Sequence, residues 1–291
     1  MERYLKIILA ILVIIGLWII MERDSCDCEL SDSQLSAACE QSQTLEKRGL
    51  KAEAAKPPTP KVTAKRSKPQ QSLPDFASID DVNEKKQAFV DFILPAIQSA
   101  NQDILIERRF LTQLNPQRMN ANQRRKFEAL AEKYQLPREV GQSFEDWHAE
   151  LLKKVDIIPP ALALAQAANE SAWGTSRFAV EGMNFFGHWC FSIGCGLVPE
   201  RRPEGQTYEV RVFDSVEASV AAYMLNLNSF QSYETLRNLR HQLRQTGAGL
   251  NSELLAYGLI AYSTKREEYI RELQVMIRFN RWQQYDNEFK P

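Results

Sequence analysis

The chain has 291 residues, 44% of them hydrophobic, and 36 Lys and Arg against 37 Asp and Glu give a net charge of −1. That length admits one good-sized domain or two small ones, and the near-neutral balance excludes a nucleic-acid binder that relies on a basic footprint. There is no glycine-rich phosphate loop, and His148, His188 and His241 are scattered without a nucleophile motif beside them, so neither a nucleotide cofactor nor triad chemistry is expected.

Residues 7–21, IILAILVIIGLWIIM, are apolar apart from Gly16, with Arg3 and Lys6 before them and Glu22, Asp24, Asp27 and Glu29 after. Such a run is at the short end of what spans ~30 Å of hydrocarbon, and its flanking charges orient the N-terminus inward. A cleaved signal peptide is the competing assignment, but MERDSCD offers no small-x-small site, and Arg23-Asp24-Ser25 before Cys26 does not suit lipoprotein processing. Residues 1–21 are therefore expected to form an uncleaved single-pass anchor. Residues 22–75 are poor in large apolar side chains and carry Pro57, Pro58, Pro60, Pro69 and a string of lysines, which marks a disordered, partly extended linker. Cys26, Cys28 and Cys39 lie in it, and the odd one among them is available for an intermolecular disulfide.

From Ile79 a helical period sets in. Val82, Phe89, Val90, Ile93 and Ile97 share one stripe, and Pro95 is expected to kink or break that helix. A second helix follows Asn122 with Phe127, Leu130, Ala131 and Tyr134 inward, and a third is capped by Ser143 with Asp146 three residues on. The next stretch, 159–191, is the one around which the domain should be built. Pro159 and Pro160 open a helix, and ALALAQAA (161–168) leaves it no solvated face, with Gln166 its single polar exception. It ends on Asn169, Glu170 and Ser171, before Trp173-Gly174 stops it. Glu170 thus stands at the C-terminal end of a buried helix. Burial and the negative end of the helix dipole both favour its protonated form, which is what a general acid needs near neutral pH. Pairing with Arg177 is the purely structural alternative.

The string AQAANESAWGTSRFAVEGMNFFGHW resembles the signature of the bacterial glucosaminidase family of peptidoglycan hydrolases, AQ-x-x-x-ES-x-WG-x-S followed by N-x-FG. Gln166, Glu170, Ser171, Trp173, Gly174, Ser176, Asn184, Phe186 and Gly187 stand at the matching positions, while Ala172, Met183 and Phe185 depart mildly. The resemblance extends from about Phe76 to the C-terminus through EKKQAF, LPAI and GCGLVPERRPEGQTYEVRVFDS. It implies that Glu170 is the general acid and that peptidoglycan glycan strands are the substrate. Asn184, at a motif position, is a candidate for substrate binding, and the aromatic Trp173, Phe186 and Trp189 are candidates for stacking on sugar faces, with packing beside the central helix the alternative for a tryptophan there. A bacterial inner-membrane protein with its catalytic domain in the periplasm follows from the anchor.

Between 188 and 214 the helical period vanishes. Tyr208, Val210 and Val212 alternate with Glu209, Arg211 and Phe213 as one strand of a small β-lobe, and Cys190 and Cys195 flank a glycine-containing turn, as a local disulfide in an exported chain does. Metal binding by these cysteines is the lesser alternative, because four ligands do not assemble in sequence. Glycosidases generally use two carboxylates, and family members carry an acidic residue thirty to forty positions after the first glutamate. That window holds Glu200, Glu204 and Glu209; a substrate acetamido group acting as internal nucleophile would remove the need for any of them. The last third is helical, with Val216, Val220, Tyr223 and Leu227 at core spacing. Its AYST string resembles the family's YAT-type motif, which makes Tyr262 a candidate for positioning or transition-state hydrogen bonding.

The sequence therefore specifies a mainly α (α+β) protein: a lysozyme-like helical domain (76–291) with a small β-hairpin lobe, preceded by an anchor and a linker. The expected activity is that of an endo-β-N-acetylglucosaminidase, with no metal or cofactor. A lytic transglycosylase or muramidase on the same glycan, or a glycan-binding scaffold without turnover, are the alternatives.

Overall fold

The computed structural model describes residues 72–247 and 249–289, so the expected anchor, the linker up to residue 71 and Cys26, Cys28 and Cys39 lie outside it. All described residues fall within one compact unit of the chain, Lys65–Pro291. No helix among them is long and apolar enough to cross a membrane.

The first helix, α1 (Val82–Gln113), is capped by the Asp81 side chain, which accepts from the N–H groups of Asn83 and Glu84. It buries Phe89, Val90, Ile93 and Ile97, while Val82 stays in solvent. Contrary to a break at Pro95, it runs through that residue for 32 residues without interruption. The lost backbone hydrogen bond is offset by the apolar contacts of Ile93, Ala96 and Ile97, all of which are buried. The second, α2 (Ala121–Lys133), begins with a reciprocal capping box between Asn120 and Gln123. The third, α3 (Phe144–Lys154), begins at Ser143, whose Oγ accepts from the Asp146 N–H at 3.0 Å.

These amphipathic helices and the later ones enclose α4 (Pro160–Ser171), in which every residue from Pro160 to Ala168 is buried. Leu162 and Leu164, fully buried, each contribute roughly 1.5–3 kcal/mol by leaving water. No local side chain caps α4. Instead Asp286, from the C-terminal end of the described chain, accepts from the Ala161 N–H at 2.9 Å, placing a carboxyl at the positive end of the helix.

The segment leading into α4 is held by a buried charge cluster. Arg240, on α7 (Glu234–Gln245), donates to the carbonyls of Lys153, Lys154, Asp156 and Ile157 and to Asn228 Oδ1. Arg244 clamps the Asp156 carboxylate with contacts of 2.9 and 3.0 Å. Burial alone would raise the pKa of Asp156, but Arg240, Arg244 and Arg108 hold it below the ordinary carboxylate range.

After α4 come α5 (Arg177–Gly182) and a three-stranded antiparallel sheet, with β1 (Trp189–Cys190) and β2 (Gly196–Leu197) both paired to a central β3 (Glu209–Arg211). Trp189 faces Val210 in register, and Leu197 faces Val210 from the other side. The chain then returns to helix in α6 (Val216–Ser229), which packs along α1, followed by α7, the short α8 (Ser252–Leu255) and α9 (Glu267–Phe279). The protein is thus mainly helical, with a small β-lobe inserted between α5 and α6.

Candidate active site

Glu170 is delivered by the way α4 stops. Ala172, Trp173 and Gly174 all take left-handed backbone angles, with φ of +50°, +58° and +77°, so the reversal begins two residues before the glycine. Ser171 fastens it: its Oγ donates to the Ala167 carbonyl at 2.6 Å and accepts from the Gly174 N–H at 2.8 Å. Gly174 is required twice over, because a Cβ there would stand 2.5 Å from the Phe76 ring. The turn directs Trp173 away from the carboxyl and onto Phe89 and Trp282, at ring-centroid separations of 5.6 and 5.7 Å.

A polar chain runs through the core to Glu170. The Tyr223 hydroxyl donates to Gln166 Oε1 at 2.6 Å, and Gln166 Nε2 donates to the Tyr269 oxygen at 3.0 Å. The Tyr269 hydroxyl in turn donates to the Glu170 carboxyl. All four groups are therefore oriented by one another. Burial raises the pKa of Glu170; hydrogen bonds from Tyr269 and Asn169 oppose this, Glu272 adds to it and Lys265 offsets part of it, and the net shift is upward. Glu170 is suited to carry a proton that it can give away.

Beside it lies an open cleft of about 700 Å3. Glu170, Phe186 and Gly187 form its floor, and a Cβ on Gly187 would be 4.0 Å from Glu170 Oε2. One wall is the β-lobe, with His188, Trp189, Phe191 and Arg211; the other is helical, with Asn226, Phe230 and Tyr233. Trp189 is 57% exposed and lies flat on Tyr208, 4.6 Å between centroids and 10° between planes, which leaves an aromatic face for a sugar. Phe186 is stacked on Tyr223 at 3.9 Å. The Tyr262 hydroxyl donates to the Phe186 carbonyl at 2.9 Å, and its ring is parallel to that of Tyr269 at 5.6 Å. Asn184 sits behind the cleft, donating to the carbonyls of His188 and Arg211 and accepting from the N–H groups of Phe186 and His188. It ties the floor to the β-lobe.

The β-lobe carboxylates are placed differently. Glu209 is buried and accepts from the N–H groups of Gly194 and Gly196 at 2.9 and 2.6 Å. Glu204 is exposed in the turn before β3, and Glu200 pairs with Arg177 at 3.2 Å. Among the described residues that line the cleft, Glu170 is the only carboxylate. Cys190 and Cys195 are joined as a disulfide with their Cα atoms 6.1 Å apart. Together with Glu209 they form a cluster of potential metal ligands, but oxidation removes the thiolates that would bind a metal.

Several site residues carry no recognisable local signal. Tyr269 reads as one apolar position of an amphipathic helix, together with Ile270, Leu273 and Ile277. Phe230 is 53% exposed at the end of α6 and faces the cleft. His188 has a pKa lowered to about 4 by burial and by Arg211, so its imidazole is neutral near pH 7. Gln166 did carry a signal: a lone amide in a helix without a solvated face must find buried partners, and those partners are the two tyrosines.

Comparison with known proteins follows the same lines. The mannosyl-glycoprotein endo-beta-N-acetylglucosaminidase family profile matches residues 146–281, a span containing the whole Glu170 cleft apart from Gln135. The chain is 32% identical over 210 residues to Protein bax of Escherichia coli (strain K12), covering 72% of this chain and 74% of that relative. No solved structure matches it. With a buried-helix glutamate at the floor of an open cleft and this degree of similarity, the chain belongs to the glucosaminidase family of glycan hydrolases, as a Bax-like member.

Proposed function

We propose that the protein is a peptidoglycan hydrolase with a lysozyme-like helical domain, cleaving the glycosidic bond after N-acetylglucosamine with Glu170 as general acid. The observation that carries this is a single carboxyl, biased towards its protonated form, at the floor of a cleft lined by no other carboxylate among the described residues. Glu170 gives its proton to the glycosidic oxygen as the bond to the anomeric carbon breaks. The substrate's own acetamido oxygen closes on that carbon, and water then opens the cyclic intermediate and returns a proton to Glu170. Substrate assistance is favoured over a second acid because both oxygens of Glu209 are engaged by backbone donors and Glu204 stands outside the cleft lining. Trp189 and Phe230 stack on sugar faces from opposite walls, Phe186 and Tyr262 shape the floor, and Asn184 fixes its geometry.

A lytic transglycosylase or muramidase acting on the neighbouring bond is the second reading, since a lone general acid serves that chemistry equally. Borohydride labelling with mass spectrometry of the fragments released from purified peptidoglycan separates the two: labelled N-acetylglucosamine ends support the first, whereas labelled muramic ends or unlabelled fragments of anhydro-muramic mass support the second. The apolar run 7–21 and its flanking charges, read from sequence, support a location for the domain on the periplasmic side of an inner membrane.

A further inference from the structure

The cleft holds one charge that the proposed reaction does not use. Arg211 closes β3, and among the described residues lining the cleft it is the only cation, since the imidazole of His188 is neutral. Its backbone is tied to the site on both sides: its N–H donates to the His188 carbonyl at 2.8 Å, and its carbonyl accepts from Asn184 Nδ2 at 2.8 Å. Asn184 also accepts from the N–H groups of Phe186 and His188, so one amide sets both the cation and the floor beside Glu170. The guanidinium rests over the buried Phe213 ring, 4.9 Å from its centroid. That contact restrains the side chain from below and leaves its fork of N–H donors for the cleft. Arg211 is exposed, and no carboxylate among the described residues forms an ion pair with it. Glu209, two residues earlier on β3, directs both oxygens at the N–H groups of Gly194 and Gly196.

We propose that Arg211 is an anion-recognition residue, binding a carboxylate carried by the glycan and so selecting anionic peptidoglycan strands over neutral N-acetylglucosamine polymers. The proposal deepens the reading of the protein as a peptidoglycan hydrolase and rests on it. Sugar hydroxyls and acetamido groups are neutral, and the Trp189 face accepts the rings of either polymer. A guanidinium matches a carboxylate with two parallel N–H···O bonds. A neutral strand lying against it displaces water and returns no compensating charge. Muramic acid supplies the carboxylate from one of two places: its own lactyl group, where no peptide is attached, or the acidic residues of an attached stem peptide.

The test is calorimetric binding to the full-length chain carrying Glu170→Gln, so that ligands are not consumed. Three ligands are compared: chitotetraose, a peptidoglycan tetrasaccharide with free lactyl carboxylates, and the same tetrasaccharide bearing stem peptides. At least one anionic glycan should bind roughly 10-fold more tightly than chitotetraose, and the one that does identifies the source of the carboxylate. Adding Arg211→Gln should bring that ligand within about twofold of chitotetraose, whereas Arg211→Lys should keep part of the preference as a point charge without the fork. Methylamidation of the ligand's carboxyl groups should abolish the preference too, and it tests the same contact without altering the protein. With Glu170 intact, Arg211→Gln should raise KM for the preferred glycan more than it lowers kcat. Equal affinity for all three glycans, a preference that survives Arg211→Gln or methylamidation, or no binding at all overturns the proposal. If the three bind alike while wild type still releases reducing N-acetylglucosamine ends, the hydrolase reading stands and the anion site falls. If the preference depends on Arg211 but wild type releases no such ends, the anion site stands and that reading falls.

Discussion

Tyr269 donates to Glu170 while accepting from Gln166 at 3.0 Å, so the orientation of the proposed acid is fixed from a helix a hundred residues away in sequence. The buried tyrosine is kept neutral, since burial first, and then Tyr262 and Glu170, push its hydroxyl well above the ordinary phenol range. Towards the ionised carboxylate the hydrogen bond therefore runs from tyrosine to Glu170.

Tyr269→Phe removes a donor that stabilises the ionised form of Glu170. The pKa of Glu170 should rise further and the alkaline limb of the pH–rate profile should move to higher pH. Gln166 Nε2 also loses its acceptor in a buried position, at a cost of about 1–3 kcal/mol, which a thermal melt should register. An unchanged pH profile would contradict the arrangement.

Glu170→Gln should stabilise the fold at neutral pH. The folded-state pKa of Glu170 is raised, so its contribution is most favourable below the unfolded value and is lost as pH rises through the folded one. A neutral amide escapes that loss. Tm should increase by roughly 2–4 °C at pH 7–8, on the scale of ~1 kcal/mol, and the difference should shrink towards pH 4. Equal Tm values across that range would remove the case for a strained active-site carboxyl.

Much of the fold is legible from residues alone. Ser143 with Asp146 announces the start of α3, and the unbroken apolar face of 161–168 announces the buried helix; α2, expected after Asn122, starts earlier, at Ala121, because Asn120 and Gln123 cap each other there. Pro95 misleads because tertiary packing overrides a local breaker. The β-lobe carboxylates could not be ranked from sequence, since the alternation around Glu209 does not reveal that two backbone N–H groups, of Gly194 in the disulfide loop and of Gly196 at the start of β2, converge on it. Tyr269 and Phe230 are invisible for a related reason: their roles arise from which helix ends meet at the cleft.

Asp156→Asn should be severely destabilising. The carboxylate faces Arg240, Arg244 and Arg108, and Arg240 is fully buried, so removing the charge leaves buried cations uncompensated, at about 3–5 kcal/mol. Because the pKa of Asp156 is depressed, its stabilisation is present above the unfolded value and is lost as pH falls through the folded one. Denaturant melts from pH 7 downward should show wild type converging on the variant in acid.

Glu204→Gln should leave hydrolysis within about twofold of wild type, whereas Glu209→Gln should weaken the turn between Cys190 and Cys195 and lower activity by loosening Trp189 and Phe191. Hydrogen exchange at Gly194 and Gly196 should speed up in Glu209→Gln. Restoration of its activity by azide, a substitute nucleophile, would instead identify Glu209 as the second catalytic carboxylate.

The most direct measurement is mass spectrometry of purified peptidoglycan digested with the full-length chain, wild type beside Glu170→Gln. The account predicts fragments with reducing N-acetylglucosamine ends from the wild type, and at least about 100-fold less from the variant. Equal product from both forms, or no product from a demonstrably folded wild type, would contradict it.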